Sequence, residues 1–206
     1  MKLLTKYLLS KFGGSAVTRK ELERACKRFG ELNINYLLHY GYLVRVLRKL
    51  YYVKTLEEFK LKKALDTYRI ISLGMNKLKV NWYFGLYTAL RLNGLTHEFF
   101  GEIFVLSNKI YRPKAIKILE ERVRFIKLKN NLFGFGIIKR DEIRFSDPEK
   151  TILDLVYVFR YRGVPEERII SVIEDYGKNL KKDRLKKYLK FYPKSVGRVL
   201  ENDRFI

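Results

Sequence analysis

A chain of 206 residues with 47% apolar side chains can bury a core and is long enough for one large or two small domains. Its formal charge of +22 points to a polyanionic partner, nucleic acid first and an acidic membrane surface second. One cysteine, Cys26, excludes an intrachain disulfide, and two histidines, His39 and His97, leave no Cys/His spacing of a zinc site.

The charge is concentrated toward both ends. Residues 1–60 hold 13 basic and 5 acidic side chains, and residues 178–198 hold 9 basic and 1 acidic. No apolar run approaches the length of a membrane span. Lys6 and Lys11 interrupt the apolar start MKLLTKYLLSKFGG, so it does not read as a signal peptide. No membrane association and a cytoplasmic location are therefore expected. The lack of glutamine, beside abundant Lys, Glu, Ile and Tyr, fits the composition of a thermophile.

Residues 3–12 place Leu3, Leu4, Tyr7, Leu8 and Phe12 at helical spacing, ended by Gly13-Gly14. Thr18-Arg19-Lys20-Glu21 is a capping box that opens a second helix. Leu22, Ala25, Cys26 and Phe29 form its apolar stripe, and Gly30 is expected to stop it. Cys26 then reads as a small core hydrophobe. A third short helix from Asn33 to Tyr40 turns Ile34, Leu37 and Leu38 inward and leaves Asn35, Tyr36 and His39 outward. The run YLVRVLRKLYYVK reads as a β-hairpin.

Three helices and a hairpin in about sixty residues are the layout of a winged helix-turn-helix. In that layout Arg19 and Lys20 meet phosphate at a helix start. Asn33, Asn35, Tyr36 and His39 belong to the recognition helix, where Asn can pair with adenine edges. Arg45, Arg48, Lys49 and Lys54 would be the cations of the wing. The expected division is residues 1–55 as the DNA-binding domain and 56–206 as a second domain.

Thr55-Leu56-Glu57-Glu58 is a second capping box, expected to open a long helix through Phe59, Ala64, Leu65, Tyr68 and Ile71. WYFGLYTALRLNGLT is read as an apolar helix ended by Asn93-Gly94. Its aromatics Trp82, Tyr83, Phe84 and Tyr87 suit a core better than a base-stacking platform. EIFVLS, RVRFIKLK and GIIKRDEIRF alternate as strands do, the last of them folding back at Lys139 to Glu142, and NNLFGFG reads as a turn. Past Asp154 the pattern is helical, with starts at Pro165 and Pro193.

The stretch SDPEKTILDLV carries three carboxylates. Ser146 or Asp147 can cap a helix, with Glu149 closing a box on Ser146. Continued as a helix, it separates Asp147 from Asp154 by about 10 Å at 1.5 Å per residue. Glu149 would point roughly 200° away from Asp147. These three acids then share no metal and form no catalytic pair; a site converging from distant acids such as Glu102 or Asp141 stays open but has no support in the pattern, and no catalytic residue, metal or cofactor is expected.

NYLLHYGYLVRVLRKLYYV, YFGLYTALRLNGLT, EIFVLS and FSDPEKTILDLV, in that order over about residues 15–160, resemble the AbiEi-type antitoxins and regulators of type IV toxin-antitoxin systems. Two positions depart from the family pattern: Lys49 stands where a wing glycine is usual, and Lys150 where an arginine is usual. The resemblance implies an α+β protein: an N-terminal winged helix-turn-helix, then a mixed α/β antitoxin domain with a small sheet and C-terminal helices. It implies a repressor of its own promoter, as monomer or homodimer, that counteracts a nucleotidyltransferase toxin and has no enzymatic activity. An orphan regulator of the same fold without a toxin, or a metal-dependent nuclease carrying a DNA-binding module, are the alternatives.

In the basic segment near the C-terminus, a helix from Leu180 turns Leu185, Tyr188 and Leu189 inward. It leaves Lys181, Lys182, Lys186, Lys187 and Lys190 as a wet face, either a nucleic-acid or partner surface or a solvated one.

Overall fold

The computed structural model describes residues 2–27, 29, 32–98, 100–178, 180–202 and 205. Gly30, the expected end of the second helix, lies outside them. The fold is α+β, with ten α-helices and two sheets among the described residues. It divides into two compact units, 1–80 with 117–121, and 81–116 with 122–206.

The first unit runs α1 (Leu3–Phe12), β1 (Ser15–Thr18), α2 (Arg19–Cys26), α3 (Ile34–His39), β2 (Leu43–Leu47), β3 (Leu50–Val53), α4 (Leu56–Lys60) and α5 (Thr67–Lys77). Its sheet has the order β1-β3-β2, antiparallel throughout. Strand β1 is too short to show a period of two, and no pattern in the sequence announces it. In α1 Leu8 is buried and Leu4, Tyr7 and Phe12 pack against the same core as expected, with Thr5 and Leu9 buried beside them, while Leu3, 72% exposed, falls outside the stripe.

Both capping boxes form as expected. Thr18 accepts from Glu21 N and the Glu21 carboxylate accepts from Thr18 N, and Thr55 and Glu58 do the same. The helix opened by Thr55 is short, however. It ends at Lys60, and Lys62 takes a left-handed φ of 48°; a new helix, α5, starts with Asp66 capping Tyr68 N at 2.9 Å. The first unit runs past residue 55 because α5 lies on the same sheet. Gly74 brings it so close to β2 that a Cβ there would meet Val46 Cγ1 at 2.8 Å. The core gathers Leu8, Leu9, Val17, Leu22, Cys26, Leu37 and Val53, each worth roughly 1.5–3 kcal/mol when fully buried if Val, Leu or Ile. Burial pushes the Cys26 thiol up, as suits an inert core residue.

The second unit contains β4 (Trp82–Phe84), α6 (Leu86–Leu92), β5 (Ile103–Ser107), β7 (Glu121–Lys127) from its second residue, β8 (Ile137–Arg140), β9 (Ile143–Ser146), α7 (Pro148–Tyr161), α8 (Glu166–Tyr176), α9 (Lys182–Leu189) and α10 (Lys194–Asn202), while β6 (Ile116–Ile118) falls across the division at residue 117. Its mixed sheet has the order β6-β7-β5-β4-β9-β8, with β4–β9 and β5–β7 parallel and β4–β5 and β8–β9 antiparallel. WYFGLYTALRLNGLT is thus a strand followed by a helix. An apolar run buried on both faces looks the same in sequence whichever it forms. Trp82, Tyr83 and Phe84 are all buried, the core role expected of them. NNLFGFG begins as a 3-10 turn, Asn130–Phe133. Helix α7 is buried along most of its length and packs with α6, α8, α9 and α10 around one core. Among the described residues no helix is long and apolar enough to cross a membrane.

Candidate nucleic-acid interface

The capping box fixes where α2 begins, which sets Arg19 and Lys20 exposed in its first turn. The backbone amide of Arg19 donates to the carbonyl of Lys49 at 2.9 Å, so the turn of the β2–β3 hairpin is fastened to the start of α2. Asn33 caps α3, its Oδ1 accepting from Tyr36 N at 2.8 Å, and this leaves Asn35 exposed in the first turn of that helix.

Arg19, Leu32, Asn33, Ile34, Asn35, Arg45 and Tyr51 then line one open, largely polar concavity of about 520 Å³. Arg45 is exposed on β2 and stands opposite Tyr51 on β3. Four of the ten candidate residues therefore converge: two guanidinium groups and two side-chain amides. Arg48 and Lys49 form the adjoining turn, with Lys49 in the left-handed region at φ 64°. The conformation that a glycine adopts freely is here held by a lysine, so the departure at position 49 leaves the turn in a glycine-like geometry.

Among the described residues, two acids of α2 are already paired. Arg19 Nε donates to Glu23 at 2.7 Å, an exposed pair of small energetic weight. Lys77 from α5 lies 2.5 Å from Glu21. Burial pushes Glu21 up, but hydrogen bonds from Lys77 and Thr18 outweigh it and hold the carboxyl at about 2.

Three candidates stand apart. Tyr36 is half-buried, with its ring 4.6 Å from Tyr40 and 6.4 Å from Tyr42, and Lys2 Nζ sits 4.8 Å above it. It packs the core and is not on an outward face with Asn35. His39 is exposed at the end of α3, edge-on to Tyr40. Lys54 follows β3, five residues and about 16 Å of strand beyond Lys49, and its backbone amide donates to Tyr42 O. It belongs to the open end of the hairpin, away from the turn. Tyr51 was missed by sequence reasoning, since all four residues of β3 are buried and no alternation marks the one that borders the concavity.

The acidic stretch forms a second polar cluster, within unit two. Asp147 is the N-cap of α7, accepting from Lys150 N at 2.8 Å, and Ser146 Oγ pairs with Thr151 Oγ1 at 2.7 Å. The box expected between Ser146 and Glu149 does not form. Because Asp147 precedes the helix, the turn of 100° per residue does not separate it from Glu149. Both approach Arg184 of α9, at 3.7 and 3.3 Å, and Glu149 also accepts from Lys181 N at 3.0 Å.

Asp154 sits elsewhere, fully buried. It accepts from Tyr192 and Tyr83 hydroxyls at 2.7 and 2.8 Å, with Lys150 Nζ at 3.4 Å. The Lys150 ammonium also lies over the rings of Phe135 (4.5 Å) and Tyr83 (4.9 Å). Burial pulls Lys150 down and pushes Asp154 up, and it drives the Tyr83 and Tyr192 hydroxyls well above their ordinary value. Gly136 closes this cluster. It has φ 61°, and a Cβ on it would press on the Lys150 side chain at 2.9 Å. Among the described residues no group of three His, Cys, Asp or Glu side chains is placed to hold a metal ion.

On α9, Leu185 is buried, Tyr188 and Leu189 are half-buried, and Lys181, Lys182, Lys186, Lys187 and Lys190 are exposed. The Tyr188 hydroxyl donates to Asp147 at 2.8 Å, so the inward face of this basic helix fastens the start of α7.

No family model matches the chain, and no curated protein does. Among solved structures it is similar to the crystal structure of the RV2827C protein from Mycobacterium tuberculosis. The TM-score is 0.57 at 14% identity, with 98% of this chain and 78% of that one covered, a likeness of fold.

Proposed function

We propose that the chain is a non-enzymatic transcriptional regulator that binds duplex DNA at its own promoter. Its first unit acts as a winged helix-turn-helix, with α3 as recognition helix and the β2–β3 hairpin as wing. The observation that carries this reading is the convergence of Arg19, Asn33, Asn35 and Arg45 on one concavity beside the Arg48–Lys49 turn. Arginines beside amide side chains are the chemistry that positions a protein on phosphate and reads base edges. The +22 charge of the chain supports the same partner.

The antitoxin role, against a nucleotidyltransferase toxin of a type IV system, rests on the ordered resemblance of four sequence segments to the AbiEi-type family. In that role the buried start of α7 is architectural, and no cofactor is used. A promoter-bound regulator of this kind works in the cytoplasm.

The test is fluorescence anisotropy on duplex DNA from upstream of the gene against a scrambled duplex, across a salt series. A preference of about a thousandfold at physiological salt supports site-specific regulation. Equal, steeply salt-dependent binding to both would overturn it. Co-expression with a neighbouring nucleotidyltransferase tests the antitoxin role, which fails if toxicity persists.

A further inference from the structure

A second concavity, of about 600 Å³, lies wholly within unit two, between the end of β7, the loop after β5 and the last two turns of α7. Its floor is apolar: Ile126, Leu128 and Val158 are all buried. Three tyrosines stand on that floor. Tyr157 and Tyr161 are one helical turn apart on α7 and so share a face, and Tyr111 comes from the loop between β5 and β6. Tyr161 is 86% exposed and Tyr111 59%, so both rings offer their faces to a ligand at the mouth of the cavity. The rim carries three exposed cations, Lys127, Lys129 and Arg162, and among the described residues no carboxylate lines the cavity.

Exposed rings on an apolar floor, fenced by cations alone, match a ligand made of flat apolar faces joined by anions. The volume is within the usual range for a site that seats one or two such faces. Duplex DNA hides its base faces, so it cannot use the rings. The geometry points to a site for single-stranded nucleic acid, with bases stacked on Tyr161 and Tyr111 and the flanking phosphates held by Lys127, Lys129 and Arg162. This site is separate from the concavity of α2, α3 and the hairpin, and it stands whether or not the first unit reads a promoter.

The experiment is anisotropy of the whole chain with a short labelled mixed-sequence RNA strand, the same strand as DNA, and a duplex. Both strands bind, and Tyr111→Ala and Tyr161→Ala each weaken them about tenfold, with duplex affinity unchanged. Both rings are at the surface, so the variants keep the fold, which circular dichroism checks. Tighter binding of RNA than of DNA adds a contact to the 2′-hydroxyl, and equal binding confines recognition to stacking and phosphate; either supports the site. Arg45→Glu with Arg48→Glu weakens the duplex and leaves the strands bound. Strand affinity that ignores both tyrosines, or that disappears with Arg45 and Arg48, overturns the proposal. So does displacement of the strand by an acidic peptide as effective as unlabelled strand.

Discussion

Arg19 N donates to Lys49 O at 2.9 Å, a backbone contact between residues thirty positions apart that makes the start of α2 and the tip of the β2–β3 hairpin one piece. The cations on both therefore keep a fixed spacing, which a polyanion with regularly spaced phosphates can exploit. Charge reversal at Arg45 and Arg48 should weaken binding to every duplex and lower the salt slope by roughly one for each phosphate no longer neutralised. Asn35→Ala should act differently, relaxing sequence preference by about 1–3 kcal/mol at one base pair with little change in slope. Anisotropy on matched and scrambled duplexes over a salt series separates the two effects.

Lys49 at φ 64° stores strain that glycine would not. Lys49→Gly should hold or slightly raise stability, as relieved strain offsets the greater freedom of the unfolded chain. Lys49→Val should lose about 1–2 kcal/mol, because a β-branched residue tolerates that region poorly. Urea midpoints of the two variants, compared with wild type, check the difference.

The Lys150–Asp154 pair is wholly buried, so removal of one partner leaves an uncompensated charge. Lys150→Met is expected to cost about 3–5 kcal/mol. Tyr192→Phe removes one hydrogen bond to Asp154 and should cost about 1–3 kcal/mol. Chemical denaturation measures both, and a neutral Lys150→Met would mean that Asp154 is protonated in the fold.

Glu21 gives a signed pH effect. Its carboxyl titrates at about 2 in the fold against 4.5 in a model peptide, so its stabilisation is complete above 4.5 and is lost as pH falls toward 2. Glu21→Gln should therefore melt below wild type at neutral pH, and the gap should close through that acid window. A gap that is constant with pH would assign the effect to capping alone.

Features fixed by short-range chemistry were legible in the sequence. Thr18–Glu21 and Thr55–Glu58 cap as their spacing dictates, and GIIKRDEIRF folds back on itself as the β8–β9 hairpin. What escaped depends on partners far along the chain. The end of α4 was hidden because Ala64 and Leu65 continue a helical pattern while Asp66 starts another helix. The choice between Ser146 and Asp147 as cap of α7 stayed open in the sequence because the contacts that favour Asp147 come from Tyr188 and Arg184, about forty residues later. At the candidate interface, Arg19, Asn35 and Arg45 could be picked singly from helix and strand faces. Their convergence, and the separation of Tyr36 and Lys54 from it, follow from aromatic packing and strand length that no local pattern encodes.

In a chain covered with lysines, Lys150 is 0% exposed, enclosed by the rings of Tyr83, Phe135 and Tyr192. An amine-reactive reagent reaches the surface lysines directly but meets this one only when unit two opens. The rate at which the peptide bearing Lys150 gains the label in a mass spectrum is therefore a clock for that opening, running in the native protein without denaturant.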